Sequence, residues 1–233
     1  GYVFHDDLAE TNTPLYFHQF VEQAAQHGLQ YLAEADFFEM QDYMFPPAMV
    51  ETLRQMASTQ LVLKEQYADF LKCRKFRQTL LCHAELQLDR SLKPENMGVF
   101  SVASSARPVS ENPDIQSPTA VAEFRSIKGQ ALATNHPLVK AAMLSLSEVW
   151  PHALPFDELL AQARIKLRRE LHQTETANEQ GRRVLGDMLL QAYGKNLVEL
   201  HVHAPHFATT LSDRPVASPV ARLQLQHGPM VTN

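Results

Sequence analysis

Three histidines crowd the segment His201-Val202-His203-Ala204-Pro205-His206. Residues i and i+2 of a strand share a face, so two of these imidazoles could pinch a metal. Such a site needs further ligands, and only Glu199 stands close by. Histidines on the exposed side of a strand are the plainer reading, and no metal residue is assigned. Cys73 and Cys82 are spaced like no metal site and read as reduced, mostly buried small hydrophobes. The glycines stand at 1, 28, 98, 129, 181, 186, 194 and 228. Neither G-x-G-x-x-G nor G-x-x-x-x-G-K-[ST] fits any of them, which excludes nucleotide binding through a standard phosphate-cradling loop. No Ser-His-Asp or Cys-His signature is legible locally, and triads assembled in space stay open. No catalytic or cofactor-binding residue is assigned.

The charged clusters say more. Lys72, Arg74, Lys75 and Arg77 surround Phe76 and form the densest basic group. It reads either as a solvated helix end set against the C-terminal dipole, or as arginines around an aromatic that hold an acidic partner segment or a neighbouring domain. Asp6-Asp7 and Glu34-Ala35-Asp36 lie in sequence near Tyr16, Phe17, Phe37 and Phe38. They read first as capping and surface groups, and second as a receiver for a cationic side chain such as lysine. Tyr16, Phe17, Arg74, Phe76 and Arg77 are carried forward as partner or substrate contacts.

Several elements must position these groups. Thr13 and Pro14 suit the N-cap and first position of a helix running to His27, with Phe17, Phe20, Val21 and Ala24 as its inward stripe. Gly28 stops it, and Leu29–Ala35 alternates like a strand, an αβ unit with no sheet of its own to join. Pro46 and Pro47 open a helix through Met56, and a further helix over Gln60–Cys73 should turn Leu63, Tyr67, Phe70 and Leu71 inward. Phe76–His83 leans to strand. Beyond Asn96, Val99–Ala103 is β-rich and Ser104–Pro118 reads as a long surface loop. Val121–Ile127 and Gln130–Thr134 pair as a hairpin across Lys128-Gly129. Helices over Pro137–Val149, Pro155–Leu167 and Glu179–Tyr193 precede an alternating strand, Leu197–His203, and a tail draped over the surface. Short helices followed by a β wing are the order of a winged-helix domain. The fold expected is α+β: a mainly helical region, 1–95, then a winged-helix-like region with a small antiparallel sheet, 96–233.

With 233 residues, 45% of them hydrophobic, the chain can build a core without disulfides. Its formal charge of −5 offers no overall footprint for nucleic acid or an anionic membrane. The alternative of a winged-helix DNA-binding transcription regulator rests on Arg182 and Arg183, offset by Glu179 and Asp187, while 197–210 holds no Lys or Arg. Protein contact is the better reading of that face. There is no membrane-spanning run and no secretion signal, so a cytoplasmic protein is expected. Gly1 in place of Met reads as the scar of a removed tag on a piece of something longer.

Several strings together resemble the methyltransferase regulatory domain that follows class I S-adenosylmethionine-dependent catalytic domains in bacterial proteins. They are His5, Leu8, Glu10, Asn12, Pro14, YFHQF (16–20), HGLQYLAEA (27–35), Asp69-Phe70, Arg74, FRQTLL (76–81), NHPLVKAAM (135–143), Trp150-Pro151, Phe156 and Glu158-Leu159. The C-terminal part is similar to the end region of outer-membrane protein lysine methyltransferases. The resemblance implies a non-catalytic regulatory and substrate-docking portion of such an enzyme, inactive alone. S-adenosylmethionine would bind in an upstream domain, with that domain in cis and a protein substrate as partners. It also gives the αβ unit a sheet to close, and Leu29–Ala35, cut from its neighbours, would leave an exposed edge able to dimerise the chain.

Overall fold

A computed structural model describes residues 13–42, 44–57, 60–167, 175–205, 213 and 216–228. The motif residues His5, Leu8, Glu10 and Asn12, the Asp6-Asp7 pair and His206 lie outside the described residues.

Helix α1 runs Phe17–Gln26, not from Pro14. The Tyr16 amide donates to Gln19 Oε1 at 3.0 Å, so the side chain three positions on closes the helix start at Tyr16 and leaves Pro14 ahead of it. Phe17 and Ala24 are buried while Phe20 stays half-exposed. Gly28 stops the helix at φ 70°, where a side chain would be strained, and strand β1 follows over Leu29–Glu34. A 3-10 turn at Phe37–Met40 is capped by Asp36, whose Oδ1 accepts from the Phe38 amide at 2.9 Å. Helices α2 (Pro47–Ala57) and α3 (Leu61–Lys72) lead to strand β2 (Thr79–His83). β1 and β2 pair antiparallel, Leu29 opposite His83 and Glu34 opposite Thr79, with a bulge between Tyr31 and Ala33. The αβ unit is therefore not solitary: the strand legible in Phe76–His83 is its partner.

The face of α3 is the reverse of the sequence expectation. Lys64, Glu65, Gln66 and Ala68 are buried, whereas Leu63, Tyr67, Phe70 and Leu71 are 39–56% exposed. Cys73 ends α3 in a left-handed conformation and is exposed, and Cys82 is partly so; neither is a buried hydrophobe.

A 3-10 turn at Pro94–Val99 opens the second part, followed by β3 (Ser101–Ala103), β4 (Arg107–Pro108), β5 (Ala122–Arg125) and β6 (Ala131–Thr134). Then come α4 (Pro137–Val149), β7 (Leu154–Pro155), α5 (Phe156–Lys166), α6 (Glu175–Gly194), β8 (Glu199–His201) and α7 (Pro219–Gln224). The hairpin β5–β6 forms across Gly129 as predicted, and β4 adds to it. The expected surface loop is thus partly strand. It is also fastened: Lys140, fully buried on α4, donates to the carbonyls of Asp114, Ser117 and Ala120 at 2.6–3.0 Å.

The last sheet has β3 at its centre, antiparallel to β7 and β8. The wing expected to form locally after α6 takes its central strand from Ser101–Ala103 instead, and Val202 points to solvent rather than alternating inward. The tail, expected to drape, carries α7, opened by Ser218 and Pro219 with Ser218 Oγ accepting from the Ala221 amide at 3.1 Å. Buried apolar side chains cluster from Met97 to Val198, on α4, α5, α6 and the strands beside them. The chain is α+β. Among the described residues no helix is long and apolar enough to cross a membrane.

Candidate docking site

The first part is organised around buried charge. Arg77, just ahead of β2, lies over the Phe17 ring with its guanidinium carbon 3.7 Å from the centroid. Its Nε donates to the Asp69 carboxylate at 2.9 and 3.1 Å, and Nη2 donates to Glu65 Oε2 at 3.1 Å and the Glu65 carbonyl at 3.0 Å. Nη1 donates to Glu34, the last residue of β1, which also accepts from the Thr79 hydroxyl at 3.2 Å. Arg74 reaches Asp69 at 2.9 Å and Glu39 at 3.1 Å, and Lys64 bridges Asp42 at 2.9 Å and Glu65 at 3.0 Å. Lys72 donates to the carbonyls of Glu39 and Gln41 at 2.6 and 2.9 Å.

This network explains the orientation of α3. Glu65 and Asp69, one turn apart, both face the Arg77 guanidinium, so the helix must present that stripe inward. The electrostatics follow burial and partners. Burial opposes the Arg77 charge, but the bonds to Asp69 and the field of Glu34 outweigh it and raise its pKa. Lys64 is likewise raised despite burial, chiefly by Glu65. Lys72, bonded to carbonyls, is lowered by burial and by neighbouring Arg74. Burial, then Glu65 and Glu34, push the Tyr31 hydroxyl well above its ordinary range.

Outside the network runs a cleft of about 700 Å³, lined among others by Leu15, Phe20, Arg74, Phe76, Thr79 and Leu80. Phe76 is 81% exposed on its rim. The aromatic surface continues onto α3: Tyr16 and Phe70 meet edge-to-face at 5.9 Å, and Phe70 and Tyr67 at 6.4 Å. Exposed apolar side chains gathered in this way make the face a candidate contact surface.

The sequence-derived contacts divide here. Tyr16 and Phe76 stand on the exposed apolar surface. Phe17, Arg74 and Arg77 line the same region from inside, the two guanidiniums turned to the chain's own carboxylates and the Phe17 ring packed beneath Arg77. The carboxylate proposed to receive a cation, Glu34, receives Arg77. The residues sequence reading missed are Glu65, Lys64, Glu39 and Tyr67; the i, i+4 pair Glu65/Asp69 beside a basic cluster was the available signal. Among the other candidates, His201 lies 3.5 Å from Glu199 and His203 is exposed; no metal-sized group of His, Cys, Asp or Glu occurs among the described residues. Arg182 pairs with Asp157 and covers the Phe156 ring.

Comparison with known proteins places this architecture. Residues 1–83 match the family described as a predicted methyltransferase regulatory domain, ending short of the Ala163 to which the motif resemblance extended. The chain is similar to the Rickettsia prowazekii protein RP789, 35% identical over 172 residues, 71% of this chain and 30% of that one. RP027 of the same organism is 23% identical over 163 residues, 68% and 62%. The solved structure of PKMT2 from Rickettsia typhi is 26% identical, with a TM-score of 0.76 over 97% of this chain and 44% of that chain. PKMT2 in complex with AdoHcy gives a TM-score of 0.77 over 99% and 44%. The chain thus spans less than two thirds of the length of each. Residues 1–83 thus match the predicted methyltransferase regulatory domain that their motifs resemble.

Proposed function

We propose that this chain is the non-catalytic regulatory and substrate-docking portion of a SAM-dependent methyltransferase that acts on protein lysine, with the cofactor held in an upstream domain. The observation that carries the reading is the apolar face around Leu15, Tyr16, Phe20, Phe70 and Phe76, displayed on the stretch that matches the regulatory family. Its charged residues are committed to an internal network, so the surface offers shape and apolar area, suited to holding a domain or a polypeptide. Likeness to PKMT2, solved with AdoHcy, supports the methyltransferase context, and the missing glycine-rich loop fits a cofactor bound elsewhere. The cytoplasm is the compartment proposed.

Calorimetry and methyl-transfer assays test this together. This chain alone should bind no S-adenosylmethionine and transfer no methyl group; the longer protein with its catalytic domain should do both. Phe76→Ala should leave the stability of this chain within about 0.5 kcal/mol, because the ring is exposed, yet weaken methyl transfer to a protein acceptor in the longer protein. Stoichiometric cofactor binding by this chain alone refutes the reading.

A further inference from the structure

A cavity lies where the first part hands over to the second. Between β2 and the turn at Pro94 the chain forms a linker, 84–93, that lies along β1. Gln30 Nε2 donates to the carbonyls of His83, Ala84 and Leu86 at 2.7–3.2 Å, and Arg90 donates to those of Tyr31 and Leu32. The linker so covers the β1 edge expected from sequence to lie exposed and able to dimerise the chain. Beside it is a cavity of about 350 Å³, walled by β1, the Phe37–Met40 turn, the start of α3 and the linker, with Leu32, Met40, Leu61, Leu88 and Leu92 as apolar lining. The same turn touches the second part. Phe37 stacks on Tyr193 of α6 at 5.2 Å, and a Cβ on Gly194 would meet Gln41 and Phe37 at 3.4–3.5 Å.

The lining also carries charge, and one cation is left over. Lys64 pairs with Asp42 and Glu65, and Asp89 accepts from the Ser91 amide and from Lys93. Arg90 has backbone carbonyls for partners, and among the described residues no carboxylate meets its guanidinium, which lies 5.5 Å from the Tyr31 ring centroid. Each Nη gives one of its two N–H groups to a carbonyl, so Nε and one Nη still offer a parallel pair. The wall at Met40 is adaptable: the Tyr31 hydroxyl and the Glu34 amide both donate to its Sδ, at 3.9 and 3.3 Å, a weak acceptor on a flexible side chain.

We infer that this cavity is an effector site for a small aliphatic carboxylate, with the carboxylate on Arg90 and the chain against the leucines and Met40. Its size falls within the roughly 300–1,000 Å³ of small-molecule pockets, which are mainly apolar with few polar anchors and favour the boundary between two parts of a chain. A planar guanidinium without a carboxylate of its own matches a carboxylate ligand in two parallel bonds. The linker and the Phe37–Met40 turn are walls of the cavity, so an occupant bears on the elements that join the face around Tyr16 and Phe70 to α6. Lys64 and Glu65, also on its wall, belong to the network that orients α3. Control of methyl transfer through this site rests on the proposed function; the binding itself does not.

Calorimetry of this chain with hexanoate tests the site. One hexanoate should bind per chain with a Kd of about 1 mM or tighter, and hexan-1-ol, which lacks the anion, at least ~10-fold more weakly. Arg90→Gln should remove that preference. Leu88→Trp, on the linker and outside every helix and strand, should fill the cavity and abolish binding of both compounds without lowering the melting temperature. No saturable heat with hexanoate, equal binding of hexan-1-ol, or binding that survives both substitutions overturns the site. In the longer protein, hexanoate should lower the protein-acceptor concentration at half-maximal methyl transfer at least ~5-fold. Methyl transfer that is unaltered at saturating hexanoate overturns the effector role. Absence of methyl transfer while hexanoate still binds counts against the proposed function and takes the effector role with it, leaving the binding site standing.

Discussion

Replacing Arg77 is the sharpest perturbation the structure offers. Its side chain is 12% exposed and serves Glu34, Glu65 and Asp69, whose side chains are 3%, 4% and 13% exposed. After Arg77→Ala, Glu65 keeps Lys64 and Asp69 keeps Arg74, but Glu34 retains only the Thr79 hydroxyl. A buried carboxylate stripped of its cation costs about 3–5 kcal/mol, to which the lost contact with the Phe17 ring adds. Arg74→Ala should cost less, about 1–3 kcal/mol, because its partner Glu39 is 46% exposed and rehydrates. Arg77→Lys keeps the charge without the fork that serves several carboxylates at once, and should fall between. Urea unfolding of the three variants at neutral pH gives the comparison, and a cycle with Glu34→Gln isolates the pair. The coupling of Arg77 with Glu34 should exceed about 1.5 kcal/mol, against under 1 kcal/mol for Arg74 with Glu39. If Arg77→Ala costs less than Arg74→Ala, or the Arg77–Glu34 coupling vanishes, the network is not what holds this region.

Further outcomes follow from packing and titration. A Cβ on Gly186 would sit 2.5 Å from the Pro94 carbonyl, whereas one on Gly181 clashes with nothing but the flexible end of the Arg164 side chain and makes an ordinary contact with Leu138; calorimetric melting should show Gly186→Ala destabilised by about 1–3 kcal/mol and Gly181→Ala near neutral. Lys140→Met leaves the carbonyls of Asp114, Ser117 and Ala120 without their donor, which should cost about 2–4 kcal/mol and open 109–121 to limited proteolysis. The Tyr31 hydroxyl is raised above its ordinary 10.0 by burial, then by Glu65 and Glu34. The folded chain holds that proton where the unfolded chain releases it, so its contribution is intact below pH 10 and is lost as pH climbs beyond. Urea midpoints at pH 9 and 11 should show Tyr31→Phe losing less than the parent.

Local signals read true where local chemistry decides. The glycine stop at 28, the strand after it, the hairpin across Gly129 and the helix from Pro47 need only their own residues. The orientation of α3 does not. Leu63, Tyr67, Phe70 and Leu71 have the spacing of a core stripe, but periodicity states that two faces differ, not which one turns in. That choice is made by cations at 74 and 77 and a carboxylate at 34, none of them on the helix. Val99–Ala103 reads as β-rich, but its place at the centre of the last sheet does not show locally for a similar reason: Ser101–Ala103 join strands on both sides through pairings distant in sequence. In the candidate site the arginines of the basic cluster turn inward, not outward to a partner. Phe76 and Tyr16 face out as expected, and the arginines between and beyond them face in, because carboxylates on three separate elements supply what an outside partner was expected to supply.

The distribution of charge and apolar surface makes physical sense as a device for orientation. A buried ion cluster is a poor source of stability, since desolvation consumes most of the attraction; an apolar interior of the same volume would hold these helices at least as well. It would also leave α3 free to roll, because its apolar stripe is the better candidate for burial on hydrophobic grounds alone. Pinning Glu65 and Asp69 to Arg77 forbids that roll, since turning them outward would strand the guanidinium and Glu34 in a dry interior. The cost of buried charge thus keeps Tyr67 and Phe70 at the surface beside Tyr16, where a partner can cover them. The second part is built differently: apolar side chains from Met97 to Val198 form its core, and the buried charge of Lys140 is met by backbone carbonyls. What separates the two parts is less their secondary structure than where their apolar side chains go: the second part gathers them in its own core, and the first leaves Leu15, Tyr16, Phe70 and Phe76 on its surface.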